Sequence, residues 1–185
     1  MESRIATTHD IHQVFALQKQ NLFANLSEEE REDGYVTTPF TIAQIREIID
    51  QRGLFITKIE GNIIAYAFAG SWKYFSQWKM FKVMIASLPK LIFDGKRINT
   101  RNSFQYGPIC IHKDHRGNGV LKSLFEKMRL EMLKKYPISI TFINKENKRS
   151  LFAHTQKLNW DIINEFEFNN NTYLTLGFDM KNSVL

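Results

Sequence analysis

The stretch from Phe104 to Met132 constrains this chain more than any other. An apolar run, Tyr106-Gly107-Pro108-Ile109-Cys110-Ile111, reads as a strand. It passes through a polar turn, His112 to His115, into Arg116-Gly117-Asn118-Gly119. A helix then starts at Val120, with Leu121, Leu124, Phe125, Met128 and Met132 on one face. A strand that delivers a glycine-rich turn onto a helix N-terminus makes an anion pocket. The first helical N–H groups have no partner there, and the helix dipole adds partial positive charge. Glycine lets the backbone approach an anion that a side chain would hold off.

Spacing excludes two common phosphate loops. A P-loop requires glycine at the positions of Arg116 and Leu121, five and zero residues before Leu121-Lys122-Ser123. A dinucleotide fingerprint fits Gly117 and Gly119 but requires a third glycine where Lys122 stands. Taken alone, the segment is either a phosphate cradle or a tight turn before a surface helix.

The 185 residues suffice for one domain with its own core, taken as 1–185. The composition, 43% hydrophobic and 24% charged, is that of a soluble globular protein. The start carries no apolar secretory segment, and no apolar run has the length to span a bilayer. A single cysteine excludes an intramolecular disulfide and fits a reducing, cytoplasmic compartment. The net charge of +6 is spread along the chain without a dense basic run. That argues against nucleic acid and leaves a small polyanion, or solubility, as its use. His9 and His12 find no further Cys/His cluster, so no metal site is expected.

Periodicity orders the rest. Ile5 to Thr8 is expected as a strand, His9 to Gln20 as a helix with Thr8 or Asp10 as cap, and Ile42 to Gln51 as a helix capped by Thr41. Between them, Asn25 to Thr41 is polar, acidic and then extended. Leu54–Ile59 and Ile63–Ala69 flank Glu60-Gly61-Asn62 as a hairpin. An aromatic and basic block, Ser71 to Arg101, follows, with near-helical spacing from Phe81 to Ile92. After the turn and its helix come a strand, Ile138–Ile143, and a short helix, Ser150–Leu158. A second hairpin closes the chain, Trp160–Phe168 with Thr172–Asp179.

This order, with Arg116-Gly117-Asn118-Gly119-Val120-Leu121, resembles the GNAT superfamily of N-acetyltransferases. The pyrophosphate motif there is Gln/Arg-x-x-Gly-x-Gly/Ala, and Leu121 replaces its last residue. A second block, Asn147-Lys148-Arg149-Ser150-Leu151-Phe152-Ala153-His154, is similar to the family's Asn-x-Arg-Ser-Leu-x-Ala-His. One residue is inserted after His154, and Asn159-Trp160 stands for Gly-Phe.

The resemblance implies a mixed α/β (α+β) fold. Its sheet would hold six to seven mostly antiparallel strands flanked by about four helices. It would splay between the strands holding Ile111 and Ile143, with a helical insert around 71–101. It implies acetyl-CoA as co-substrate and direct acetyl transfer to an amine of a small molecule or peptide. Residues Arg116, Gly117, Asn118, Gly119, Val120, Leu121 and Lys122 would hold the pyrophosphate. The backbone of Ile109, Cys110 and Ile111 would pair with the pantetheine arm as an added strand does. Asn147 would bond the cofactor or cap its helix, and Ser150 and His154 would lie beside it.

Relatives place a tyrosine after the asparagine to protonate the leaving thiolate, and this chain has none there. His154 replaces it or is a packed structural histidine. Tyr173 and Tyr106 are the other hydroxyl candidates. No carboxylate stands at Gln105 or Tyr106, where some relatives keep one, so no base is identified; the acidic run Glu28 to Asp33 is the remaining acidic feature. Cys110 is read as a small buried hydrophobe and not as a nucleophile. The insert is expected to line the acceptor pocket or act as its lid, against a dimer surface or a membrane-interface helix. A monomer or homodimer with no membrane partner is expected. The alternative to an enzyme is a GNAT-like domain that binds acyl-CoA for a regulatory or structural purpose; a basic nucleic-acid module is the third reading.

Overall fold

A computed structural model describes residues 1–185. In chain order the elements are β1 (Glu2–Ile5), α1 (Ile11–Asn21), α2 (Glu28–Glu32), α3 (Ile42–Asp50), β2 (Leu54–Ile59) and β3 (Asn62–Gly70). The insert follows as α4 (Trp72–Phe75), α5 (Lys79–Ser87), β4 (Ile92–Phe93) and β5 (Lys96–Arg97). Then come β6 (Ser103–Ile111), α6 (Val120–Met132), β7 (Ile138–Asn144), α7 (Lys148–Phe152), β8 (Asp161–Phe168) and β9 (Asn171–Asp179). Seven strands form one sheet in the order β1-β2-β3-β6-β7-β9-β8, and every pair is antiparallel except β6–β7. No helix is long and apolar enough to cross a membrane.

The sheet buries both faces. On one side α1, α3 and the insert cover a core that includes Ile11, Ile45, Phe68 and Phe75. On the other, α6 lays Val120, Leu124, Phe125, Met128 and Met132 against Phe104, Tyr106 and Leu176. Of the 64 buried residues, 26 form the first hydrophobic layer and 20 the second.

The parallel pair β6–β7 is short. Ser103–Gln105 pair with Ile138–Ile140, and no ladder continues beyond Gln105 although both strands run on. The expected splay therefore opens there. Its cause lies in Gly107-Pro108. Between Ala69↔Tyr106 and Ala67↔Ile109, β6 takes three steps where β3 takes two. Proline brings no N–H to the ladder, and an extra residue bends a strand. The extra residue also exchanges faces: Phe104 and Tyr106 point toward α6, and beyond the bulge Ile109 and Ile111 do so, while Cys110 joins the opposite core.

Several local expectations shift. The first strand ends at Ile5, not Thr8, because the Thr7 N–H and hydroxyl both donate to Asp10 and pull the chain into a helical turn. Asp10 is buried between Arg4 (2.8 Å) and Lys58 (3.0 Å). Burial opposes its charge, but the hydrogen bonds from Arg4, Thr7 and Lys58 hold its carboxyl well below the usual range. The acidic stretch forms the short helix α2, capped reciprocally by Ser27 and Glu30. The helix expected over Ser150–Leu158 begins at Lys148 and ends in a π-helical turn, Ala153–Lys157. The residue inserted after His154 is absorbed in that wider turn.

The insert departs most. Its helical spacing is realised only to Ser87; Ile92 stands exposed on the β4–β5 ribbon. Trp72, Tyr74, Phe75, Phe81, Met84 and Leu88 are core. Phe75 stacks near Phe81 at 4.7 Å, Trp78 near Phe40 at 4.9 Å, and Trp72 Nε1 donates to Ser103 Oγ at 3.0 Å. The aromatic block is built into the fold. Removing Phe75 to Phe93 would unfold the protein, not open a lid.

Candidate active site

The end of β6, the turn after it and the start of α6 face the π-helical turn and residues 33–36 across a cavity of about 270 Å³. Gly117 and Gly119 have φ of +85° and +77°, which side chains rarely adopt. A Cβ at either would meet nothing within 4 Å, so the backbone there is bare toward the open space. No side chain caps the helix at Gly119, and the first N–H given an acceptor is Ser123, to Gly119 O at 3.1 Å. The N–H groups of Val120, Leu121 and Lys122 are left for a ligand. Val120 itself is buried in the α6 core, and Asn118 is exposed outside the cavity wall. Leu121 and Lys122 line it.

Arg116 lines the cavity, and its side chain is also tied into the surrounding protein. Its guanidinium donates to Ile111 O (2.9 Å), Asp33 O (2.7 Å) and Asn21 Oδ1 (3.0 Å). It thus ties the turn to α1 and to residues 33–36. All three acceptors are neutral, so its charge is not cancelled. Lys122, Arg149 and Lys157 also line the cavity, with Asp33 the one carboxylate, 3.5 Å from Arg149. The cavity is a basic one.

Beyond it, between the splayed strands, lies a smaller cleft of about 70 Å³. Tyr35, Val36, Ile109, Ser150 and His154 line both spaces. His112 N–H donates to Ile64 O at 2.8 Å. By alternation, the N–H and C=O groups of Ile109 and Ile111 point away from β3, into the gap. Thr141 Oγ1 and Gln105 Nε2 both donate to Tyr106 O, at 2.7 and 2.6 Å, and close the narrow end. Asn147 Oδ1 accepts from Ser150 N–H as helix cap, and Nδ2 donates one of its two N–H groups to Tyr35 O at 3.2 Å. Of its two sequence readings the structure realises the cap.

His154 is buried, with Nδ1 2.7 Å from Ser150 O. A carbonyl only accepts, so Nδ1 carries the proton and Nε2 is the bare nitrogen. Nε2 has no partner, and burial pushes the imidazole down to about 4. Its ring packs against Tyr106 and Trp160, at 5.7 and 5.8 Å. Tyr106 contributes its backbone to the cleft while its ring lies under α6, against Phe125 at 5.4 Å. Tyr173 lines neither space; it stacks on Phe166 at 5.5 Å. Burial pushes the Cys110 thiol up to about 12, which leaves it a neutral apolar group. The carboxylates of Glu28 to Glu32 reach neither space.

Tyr35, Asn21, Thr37 and Thr38 also belong to the walls and were not anticipated. Asn21 ends α1, and the other three sit in an irregular segment without a period to read. The one signal was indirect: an arginine before two glycines needs carbonyl partners from somewhere.

No family model matches the sequence, and no curated protein is similar to it. Solved structures are. An acetyltransferase of the GNAT family from Streptococcus pneumoniae superposes with a TM-score of 0.65 at 12% identity, over 96% of this chain and 98% of that one. The chain has the GNAT fold. The ribosomal-protein-alanine N-acetyltransferase of Brucella melitensis gives 0.62 at 15% identity, over 97% and 99%. Salmonella typhimurium yncA, solved with its cofactor acetyl-CoA, gives 0.63 at 13%, over 97% and 93%. The basic cavity lies on the turn side of the splay, and the cleft on its far side.

Proposed function

We propose that the protein is an acetyl-CoA-dependent N-acetyltransferase that passes an acetyl group to an amine of a small molecule or peptide. One observation carries this reading. A bare glycine turn with unpartnered helix N–H groups is continuous with a gap into which Ile109 directs its N–H and C=O and Ile111 its N–H, the Ile111 carbonyl being held by Arg116. A chain of anionic head, amide-bearing arm and thioester matches that sequence of donors and acceptors. Acetyl-CoA, when bound, supplies an activated carbonyl carbon and a thiolate leaving group.

The protein's own part is binding, orientation and electrostatics. The turn N–H groups, with Lys122 and Lys157 nearby, hold negative charge. Arg116 fixes the turn against Ile111 and keeps its own charge in play. The backbone of Ile109 and Ile111 aligns the amide arm as a strand partner would. An N–H at this strand end is available to an oxygen gaining charge.

Calorimetric titration with acetyl-CoA, followed by a screen of amines for free CoA release, tests the reading. Binding in the micromolar range with amine-dependent release supports it. Absence of binding overturns it. Binding with no release for any amine supports the domain as an acyl-CoA-binding module instead; the shielded His154 is the observation that favours that second reading.

A further inference from the structure

The far-side cleft has an unusual charge inventory. No Asp, Glu, Lys or Arg lines it. Its ionisable side chains are Tyr35 and His154; Tyr106 lines it with backbone, its ring turned under α6. The Tyr106 hydroxyl is buried without a partner, and the His154 imidazole stays neutral under its burial. Outside the cleft, Glu146 and Arg31 act on the Tyr35 hydroxyl, and Arg116, Lys122, Arg149 and Lys157, with Asp33 paired to Arg149, line the adjoining cavity.

Such a cleft is hostile to an ammonium group. A cation there loses water and finds no counter-ion on the wall, and both disfavour its charged form. A lysine-like amine, with a pKa of about 10, is almost wholly protonated at neutral pH and must shed a proton before attack. No wall residue takes that proton. Gln105 makes the same point. Its Nε2 donates to Tyr106 O, which leaves Oε1 buried and unpartnered. An amide oxygen accepts a hydrogen bond from N–H but is too weak a base to remove the proton. The remaining walls are apolar (Val36, Phe81, Pro108, Phe142) or neutral (Thr37, Thr38).

We infer that the acceptor is a weakly basic amine already uncharged at neutral pH, carried on an aromatic or similarly apolar body: the class of arylamines and aryl hydrazines. This rests on the acetyltransferase reading above. The amine lone pair attacks the thioester carbonyl carbon, a C–N bond forms and the C–S bond breaks. One amine proton ends on the departing sulfur, giving an N-aryl acetamide and free thiol. Lysine side chains, peptide N-termini and polyamines are poor acceptors under this inference.

The test uses the full chain and acetyl-CoA with four acceptors: an aniline, benzylamine, a lysine peptide and spermidine. At pH 7 the aniline is expected to exceed each of the others in kcat/KM by about tenfold or more. Its profile should be flat from pH 6 to 9, whereas benzylamine should gain about tenfold per pH unit below its own pKa. Preference for spermidine or the peptide, or an acid limb for the aniline between pH 6 and 8, overturns the inference while the acetyltransferase reading stands. So does binding of acetyl-CoA with no aniline turned over. Failure of acetyl-CoA to bind overturns the acetyltransferase reading itself. Gln105→Glu adds a carboxylate to the wall and should cut the aniline-to-benzylamine ratio by about tenfold. Thr38→Glu, at a half-buried rim position, should do so more weakly and tests the same point if the buried change impairs folding. Unchanged acetyl-CoA affinity reports an intact fold, and an unchanged ratio in both variants overturns the inference.

Discussion

The two sides of the splay are built by opposite means. On the turn side the recognising groups are backbone N–H donors, exposed because Gly117 and Gly119 adopt a left-handed conformation, with uncancelled cations around them. On the far side the walls are side chains from residues 35–38, the insert and β7, and none of them is charged. Backbone recognition is encoded in a few consecutive residues. Side-chain recognition is assembled from segments distant in sequence. The first should tolerate side-chain change at its neighbours and fail at its glycines; the second should respond to every wall residue and leave the first untouched.

The strongest attack on that contrast is Gly119→Val. At φ +77° a β-branched residue costs about 1–2 kcal/mol of stability, and its side chain stands over the donors. Acetyl-CoA affinity should fall about 100-fold, equivalent to about 3 kcal/mol. Thr37→Ala, on the exposed far wall, should leave that affinity within about twofold. Calorimetry on both variants decides. If they lose affinity equally, the division between the two sides is wrong.

His154 borders both spaces and tests whether the boundary is structural or chemical. Folded, its ring stays neutral to about pH 4; unfolded, it takes a proton near 6.5. Between these values the unfolded chain binds the extra proton, so stability falls as pH drops from 6.5 toward 4 and this contribution then levels off. His154→Gln should remove about 3 kcal/mol of that pH dependence in denaturant unfolding. A variant with unchanged slope over this range would mean that the ring is hydrated and available for proton transfer.

The same contrast explains what the sequence made legible. Arg116 to Lys122 was legible as a candidate phosphate turn because left-handed glycines before an uncapped helix start are local backbone geometry. The hairpins at Glu60-Gly61 and Asn169-Asn170 were equally local, with φ of +49° and +82° in the first and +49° and +58° in the second. The splay was legible only through the family resemblance, although Gly107-Pro108 is its physical cause. The role of Arg116 was not legible, since its acceptors on Asn21 and Asp33 lie 95 and 83 residues away. The insert misled for a related reason. Its aromatics have the spacing of a surface-seeking amphipathic helix, but their partners outside the insert, Phe40 and Phe142, come from two distant segments. Periodicity reports that a face is apolar and is silent about what covers it.

Arg116 links the two sides, and its substitutions separate charge from geometry. Arg116→Ala leaves Ile111 O, Asp33 O and Asn21 Oδ1 without their donor, at a cost of about 2 kcal/mol for this half-buried site. Arg116→Lys restores the charge without the planar fork, so stability should fall nearly as far. Acetyl-CoA affinity should fall less with lysine than with alanine, because the cavity keeps its field. Equal affinities would mean that the arginine acts only as a brace.

The smallest effect is expected where the motif departs from its family. Leu121 occupies the position of a glycine or alanine, lines the basic cavity and packs partly against the α6 core. What the position offers a ligand is its N–H, in the first turn of α6, and that is independent of the side chain. Leu121→Ala should cost about 1 kcal/mol of stability, the lower end for a partly buried leucine. It should change acetyl-CoA affinity by no more than about threefold, or under 1 kcal/mol. A tenfold gain on truncation would show that the leucine crowds the cradle, and side-chain shape would then matter on the turn side as it does across the splay.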